Sequence, residues 1–285
     1  MRVLCTVRLA DADSSGVMAV PQSGGAARQR PDAVAAEWVS LDASGAHSLR
    51  CWWARPSEGT PRAAVLVLPE VFGVNGWVRS VAERLAAEGY AALALPIFAR
   101  TAPDFETGYD DAGLALGREH RDAVSAEGLL ADATRAIAWL QAQPGLAGQG
   151  VGCVGFCFGG HLALIAATLP QVIATCDFYG ARVSCFRPGG GAPTLELLPQ
   201  IGGHLICFCG DQDPLMPAEE LAAIEAAMAT SQRPGRERRL TVAAGAGHGF
   251  MCEARADFQP EAARQGWAEM LALFERALPE RIGLG

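Results

Sequence analysis

The chain has 285 residues, half of them hydrophobic and 19% charged, and carries a net charge of −8. That is enough apolar material to bury the core of one α/β domain with an extension, and it excludes a globally disordered chain. An acidic chain without a Lys/Arg run repels phosphates, which excludes a nucleic-acid binder, and no apolar run approaches the roughly 18 residues of a membrane helix.

Residues 1–35 differ from the rest, with Arg2, Arg8, Arg28 and Arg30 spread among small residues around Gly24–Gly25. No continuous apolar stretch follows Met1-Arg2, so a secretory signal is not supported. The segment reads as a disordered extension or a start placed too early, with Met18 as an alternative start; 36–285 reads as one domain. A strand over Ala64–Leu68 is short, continuously apolar and bounded by Pro61 and Pro69, as a doubly covered parallel strand should be. Asn75 caps a helix from Gly76 to Glu88 whose Val78, Val81, Ala82 and Leu85 form one stripe, and Gly89 ends it.

Further strands are expected at Tyr90–Leu95, Gln149–Gly155, Val172–Phe178, His204–Cys209 and Arg239–Ala243. Helices are expected at Ser125–Gln143, Phe158–Leu169, Pro217–Ala229 and Glu261–Leu278. Strands alternating with helices of this length make βαβ units, so the expected fold is α/β, a mostly parallel sheet with helices on both faces. Thr101–Val124 and Ser184–Gly203 fit neither pattern. Long irregular stretches in a compact domain are commonly functional, which makes these two the expected walls of a substrate pocket.

The nine cysteines are an odd set in a chain too large to need stapling, and several lie in strand-like runs. Reduced thiols in a cytoplasmic protein are the simplest reading. Cys207 and Cys209 share one face of a buried strand as filler. No Cys-x-x-Cys and no histidine spacing suggests a metal site.

Gly155-Phe-Cys157-Phe-Gly159-Gly160 stands between a strand and a helix. This is the nucleophile-elbow pattern with cysteine for serine. The nucleophile takes a strained backbone conformation there, and only glycines two before and two after it allow the neighbouring backbone to pass. The helix N-terminus behind it favours a thiolate and offers N–H donors to an oxyanion. A nucleophile needs a base, and the base an orienter. Asp213 follows the strand ending at Cys209, and His248 follows the strand ending near Ala243. The order of nucleophile, acid and histidine is that of the α/β-hydrolase fold, and all three fall at C-terminal strand ends. Asp211 is read as a turn residue.

Glu70 and Val71 follow the strand Ala64–Leu68, whose loop in this fold donates the second oxyanion N–H. Val71 and Phe158 are therefore the expected oxyanion donors, and Glu70 points toward a site that already holds a thiol. His161, on the helix after the elbow, is read as a packed or capping residue, and Trp52 and Trp53 as core and edge packing.

Taken together, the Pro69-Glu-Val-Phe-Gly-Val-Asn75 segment, Phe98-Ala-Arg100, Gly-Phe-Cys157-Phe-Gly-Gly, the Asp213 loop and Ala-Gly-His248-Gly-Phe resemble the dienelactone hydrolases, or carboxymethylenebutenolidases, from about Ala64 to the last helix. The resemblance implies a triad of Cys157, His248 and Asp213 that attacks the carbonyl of a small ester or lactone, with no cofactor. It also implies that Glu70 interacts with the thiol and helps activate it when substrate binds. Founding members hold a substrate carboxylate with two arginines. The position four residues after His248 is here Cys252, with Arg255 three further on. No arginine falls near Leu114 and Ala115, where Arg118 is the nearest. Arg100 either structures its loop or meets substrate. Arg100, Arg118 and Arg255 are thus the candidate substrate-binding arginines, and no strong preference for a free carboxylate is expected. The expected partner is a small-molecule substrate, not a membrane or nucleic acid, and the expected assembly a monomer or weak homodimer. A ligand-binding or thiol-sensing protein on the same fold is the alternative.

Overall fold

The computed structural model describes residues 33–41 and 47–278. Residues 1–32, and with them most of the proposed extension and Met18, lie outside the described residues; Val34 and Ala35 already belong to the first strand. Eight strands form one sheet: β1 (Val34–Leu41), β2 (Leu49–Pro56), β3 (Ala64–Leu68), β4 (Ala91–Ala94), β5 (Val151–Phe156), β6 (Val172–Phe178), β7 (His204–Gly210) and β8 (Arg238–Ala243). Their order is β1-β2-β4-β3-β5-β6-β7-β8. β1 and β2 run antiparallel to each other, and β2 antiparallel to β4. From β4 through β8 every pairing is parallel.

The alternation of side chains along β3 explains the two layers. Val65 and Val67 face one side with α1 (Gly76–Ala87) and α6 (Pro260–Ala277). Leu66 and Leu68 face the other with α3 (Ala126–Gln141) and α4 (Phe158–Ala166). Around β7, Leu205, Cys207 and Cys209 pack with α5 (Ala218–Thr230), so these two cysteines are core filler as read. Asn75 caps α1 by accepting from the Val78 N–H, and Ser125 caps α3 through the Gly128 N–H. Both act as N-caps should.

Two expected loops carry helices. α2 (Asp111–Arg121) interrupts the stretch 101–124 and is capped by Asp110, whose side chain accepts from the Gly113 N–H at 2.7 Å. Its polar composition hid it, although the Asp110 cap was legible. Gly117 lies against the Val71 carbonyl, where a Cβ would come within 2.1 Å, so the glycine lets this helix touch the loop after β3. A 3-10 helix at Thr194–Gln200 interrupts the second stretch.

The chain leaves β3 for β4 on one side and crosses back to β5 on the other. A crevice therefore opens at the C-terminal ends of β3 and β5, the topological switch point where ligands bind in open parallel sheets. Beneath it lies Asp177 on β6, fully buried, its Oδ1 accepting the Gly180 N–H at 2.8 Å. Burial holds its carboxyl up at about 7, against the opposing pull of Cys207 and Gly180. A carboxyl whose folded pKa lies above its unfolded value contributes stability in full below the unfolded value. That contribution is lost as pH rises through about 7. Asp177→Asn keeps the acceptor and cannot ionise. Its melting temperature relative to the parent should therefore rise by several degrees between pH 5 and pH 8; scanning calorimetry at the two pH values checks this.

Candidate active site

At the end of β5 the backbone turns at Cys157 with φ 53 and ψ −119, a left-handed conformation that costs a non-glycine residue energy. The Cys157 N–H donates to the Phe178 carbonyl at 2.9 Å, which pins the turn to β6. The glycines on either side are needed for space. A Cβ on Gly155 would lie 1.9 Å from the Gly159 carbonyl oxygen, and one on Gly159 would lie 2.3 Å from the Leu68 oxygen. The start of α4 thus rests against the end of β3.

The turn presents the Cys157 sulfur to His248, whose Nε2 is 3.0 Å away. His248 Nδ1 meets Asp213 Oδ2 at 2.8 Å, and Asp213 Oδ1 accepts the Leu215 N–H at 2.8 Å. The carboxylate accepts, so Nδ1 carries the hydrogen and Nε2 faces the sulfur. Asp211 instead accepts the exposed Gly245 N–H, joining two loops as a turn residue would. Burial disfavours the imidazolium of His248, but the Cys157 sulfur and the Asp213 carboxylate outweigh it and hold the ring up at about 10. The Tyr179 ring packs edge-on to His248 at 5.2 Å.

Glu70 is fully buried, and its Oε1 accepts from Arg255 Nη1 at 2.8 Å. Its other oxygen has no hydrogen-bond partner. Burial pushes its carboxyl up, partly offset by Arg255 and His248. The sulfur's partner is His248, so Glu70 stands close behind the site, tied to an arginine.

A cavity of about 530 Å³ opens over the sulfur, and Val71, Phe158, His248, Arg118 and Arg255 all line it. Phe158 is the first residue of α4, where backbone N–H groups have no partner in the preceding turn. Both irregular stretches contribute walls, through Leu114 and Arg121 on one side and Phe186 on the other. Arg100 does not line the cavity. Its Nε and Nη2 each donate to Asp132 at 2.9 Å, a contact that ties its loop to α3. His161 is buried and held between the Ala181 carbonyl and the Thr194 hydroxyl, each at 2.8 Å, a packed residue as read. Of the three candidate substrate-binding arginines, Arg118 and Arg255 line the cavity. Arg182 and Arg121 also line the cavity and were missed. The signal for Arg182 was its place just beyond the C-terminal end of β6.

Among the described residues no group of three or more His, Cys, Asp or Glu side chains is placed to hold a metal ion. None of their helices is long and apolar enough to cross a membrane.

The family model of the dienelactone hydrolase family matches residues 49–278. A Synechocystis sp. protein provisionally named a carboxymethylenebutenolidase is 39% identical over 214 residues, covering 75% of this chain and 86% of that protein. A Bradyrhizobium sp. protein provisionally named a 2-oxo-3-(5-oxofuran-2-ylidene)propanoate lactonase is 28% identical over 242 residues, 84% of this chain and 94% of that one. The crystal structure of a provisionally named dienelactone hydrolase from Klebsiella pneumoniae superposes with a TM-score of 0.77 at 26% identity, covering 86% of this chain and all of that one.

The packing of the elbow makes a direct prediction. Gly159→Ala should cost about 2–4 kcal/mol, because the obstacle is backbone that cannot move aside. Gly202→Ala, where a Cβ meets nothing within 4 Å, should cost less than about 0.5 kcal/mol. Urea midpoints of the two variants check the contrast.

Proposed function

The chain belongs to the dienelactone hydrolase family and is a hydrolase of lactones or esters, and on that footing we propose that it cleaves small substrates of this kind through a cysteine nucleophile and an acyl-cysteine intermediate. The observation that carries the reading is the 3.0 Å contact between the Cys157 sulfur and His248 Nε2 at a strained strand-to-helix turn. With its proton already held by His248, the sulfur attacks the carbonyl carbon as the thiolate. The carbonyl oxygen gains negative charge, and the backbone N–H groups of Val71 and Phe158 are the donors assigned to it. The tetrahedral adduct collapses, the carbon–oxygen bond to the leaving group breaks, and His248 returns the proton to the departing oxygen. Water then attacks the thioester, giving its proton to His248. The acid departs as the sulfur leaves and recovers that proton. Asp213 keeps the imidazole oriented and stabilises its charged form. Each step closes its proton balance through His248.

Glu70 has a supporting role in this scheme. A buried carboxyl with one unpartnered oxygen, tied to Arg255, can take up or release charge next to the thiol–imidazole pair as a ligand enters. A thiol-sensing protein also needs an activated cysteine, but only turnover needs a histidine that moves a proton to a leaving group and from water, the part an oriented His248–Asp213 pair suits.

Cys157→Ala should lose p-nitrophenyl acetate turnover entirely while keeping its melting temperature within a few degrees, since alanine is as small as the turn requires. Rapid-quench mass spectrometry of the parent should show one acetyl group on the peptide containing Cys157. Turnover by the alanine variant would remove cysteine from the mechanism. Glu70→Gln should lower kcat about tenfold or more and change KM less, read from steady-state kinetics across pH. An unchanged kcat and pH profile would leave Glu70 with a purely structural part.

A further inference from the structure

The loop before α2 is locked to the loop that carries Glu70. The Thr107 N–H donates to the Phe72 carbonyl at 3.0 Å, and Glu106 pairs with Gly73 as an isolated bridge. Gly73 has φ 75, and a Cβ there would lie 2.0 Å from the Phe105 carbonyl oxygen, so the two backbones touch. Tyr109 follows directly. It is half-buried, and its ring packs edge-on to Phe72 at 4.6 Å. Backbone and ring together fix where its hydroxyl lies.

That hydroxyl makes a poor bond beside an acceptor that lacks one. It donates to Asn75 Oδ1 at 3.4 Å, the long end of a hydrogen bond. Asn75 Oδ1 already accepts the Val78 N–H as the cap of α1. Glu70 is fully buried, with Oε1 held by Arg255 at 2.8 Å and Oε2 without a partner. Burial pushes the Glu70 carboxyl up, and Arg255, His248 and the Tyr109 hydroxyl all pull it down. Burial and then Glu70 push the Tyr109 hydroxyl far above its usual range, so it keeps its proton. Two further titratable groups face Glu70. Burial and Glu70 hold the Cys252 thiol up at about 12, and they raise the Tyr179 hydroxyl as well. Both are therefore neutral near pH 7, and the Tyr179 hydroxyl has no hydrogen-bond partner. A hydroxyl hydrogen turns freely about its C–O bond, so the Tyr109 O–H can change acceptor without any motion of the ring.

We infer that Tyr109 is a positioning residue for the acyl-cysteine chemistry: its O–H swings from Asn75 to the free oxygen of Glu70 when Glu70 becomes a carboxylate, and so keeps Glu70 charged beside the thiol–imidazole pair. The inference rests on the reading of Cys157 and Glu70 given above. A donor to the charged form lowers a carboxyl's pKa, so loss of the hydroxyl must raise the pH at which Glu70 ionises. Tyr109 also joins Glu70 to the cavity wall. Its neighbour Asp110 caps α2, and α2 brings Leu114 and Arg118 to the cavity.

The test uses Tyr109→Phe, which removes the hydroxyl and keeps the ring, made in the parent and in Glu70→Gln. Asn75 keeps its bond to Val78, so melting temperatures should stay within a few degrees of each other. Turnover of p-nitrophenyl acetate is followed between pH 5 and pH 9 with the whole chain. Alkylation of Cys157 by iodoacetamide is followed over the same range, read on its peptide by mass spectrometry. Tyr109→Phe should move the acid limb of kcat up by about one pH unit, the scale of one hydrogen bond to a charged group, with KM changed less. On the acid side kcat should then fall about tenfold, while above the limb parent and variant should agree. In Glu70→Gln the same substitution should shift nothing. The alkylation profile should differ between the parent and Tyr109→Phe, and coincide between Glu70→Gln and the double variant. Superimposable profiles for the parent and Tyr109→Phe would overturn the inference. An equal shift in the Glu70→Gln background would do so too, because it places the effect on another group. An equal loss of kcat at every pH would mark a packing defect alone and count against it in the same way. Failure of the hydrolase reading looks different: no chain, the parent included, releases nitrophenolate, while the alkylation profiles still decide the part of Tyr109.

Discussion

The first turn of α4 lies so close to the end of β3 that backbone meets backbone with no side chain between them. The contact exists because Gly159 has no Cβ, while the missing Cβ of Gly155 lets the same turn fold back over the end of β5, and Cys157 between them takes a left-handed conformation. A side chain at that point has one direction open to it, out of the sheet and into the crevice above β3 and β5. The loop after β3 lies on the other side of the same crevice, so Glu70 and Val71 are brought to the sulfur by the contact that raises it. The sheet order matters equally. A chain that continued from β4 outward would leave no gap at this point, whereas the return to β5 opens one where the helix N-terminus faces it.

Charge at the site is arranged in two tiers. Near the sulfur, His248 and Asp213 form a buried pair, and the Cys157 sulfur together with the Asp213 carboxylate outweighs the cost of burying the imidazolium. Behind it, Glu70 is buried with Arg255, and a lone oxygen is left over. A buried ion pair of this kind is poor evidence of stability, because desolvation absorbs most of the attraction. An unpartnered buried carboxylate oxygen is costly as well. Keeping both next to a nucleophile makes sense if the pair responds to what enters the cavity, and this fits the part proposed for Glu70. At the mouth the charges are solvated, so their effect belongs to recognition.

Much of the architecture was legible from local chemistry. The apolar run Ala64–Leu68, the Asn75 and Ser125 caps and the glycines around Cys157 each carry a short-range signal, and each element forms within a residue or three of where that signal puts it. α2 was missed because its polar, glycine-containing turns bury little, and its docking depends on Gly117 meeting the Val71 carbonyl, a partner 46 positions away in the chain. The antiparallel β1–β2 ribbon at the sheet edge likewise depends on pairing partners and not on its own pattern.

The sequence by itself determined which residues can do chemistry: a cysteine between glycines at a strand-to-helix junction, followed by an acid and a histidine at later strand ends. Those signals are local because backbone sterics and chain order are local. Tertiary structure alone decided where the arginines go. A guanidinium on a long flexible stem reads nothing from its neighbours in sequence. Arg100 turned to Asp132, Arg255 to Glu70, and Arg118 and Arg182 to the cavity, because the nearest uncompensated charge and the shape of the wall are set by elements far apart in the chain.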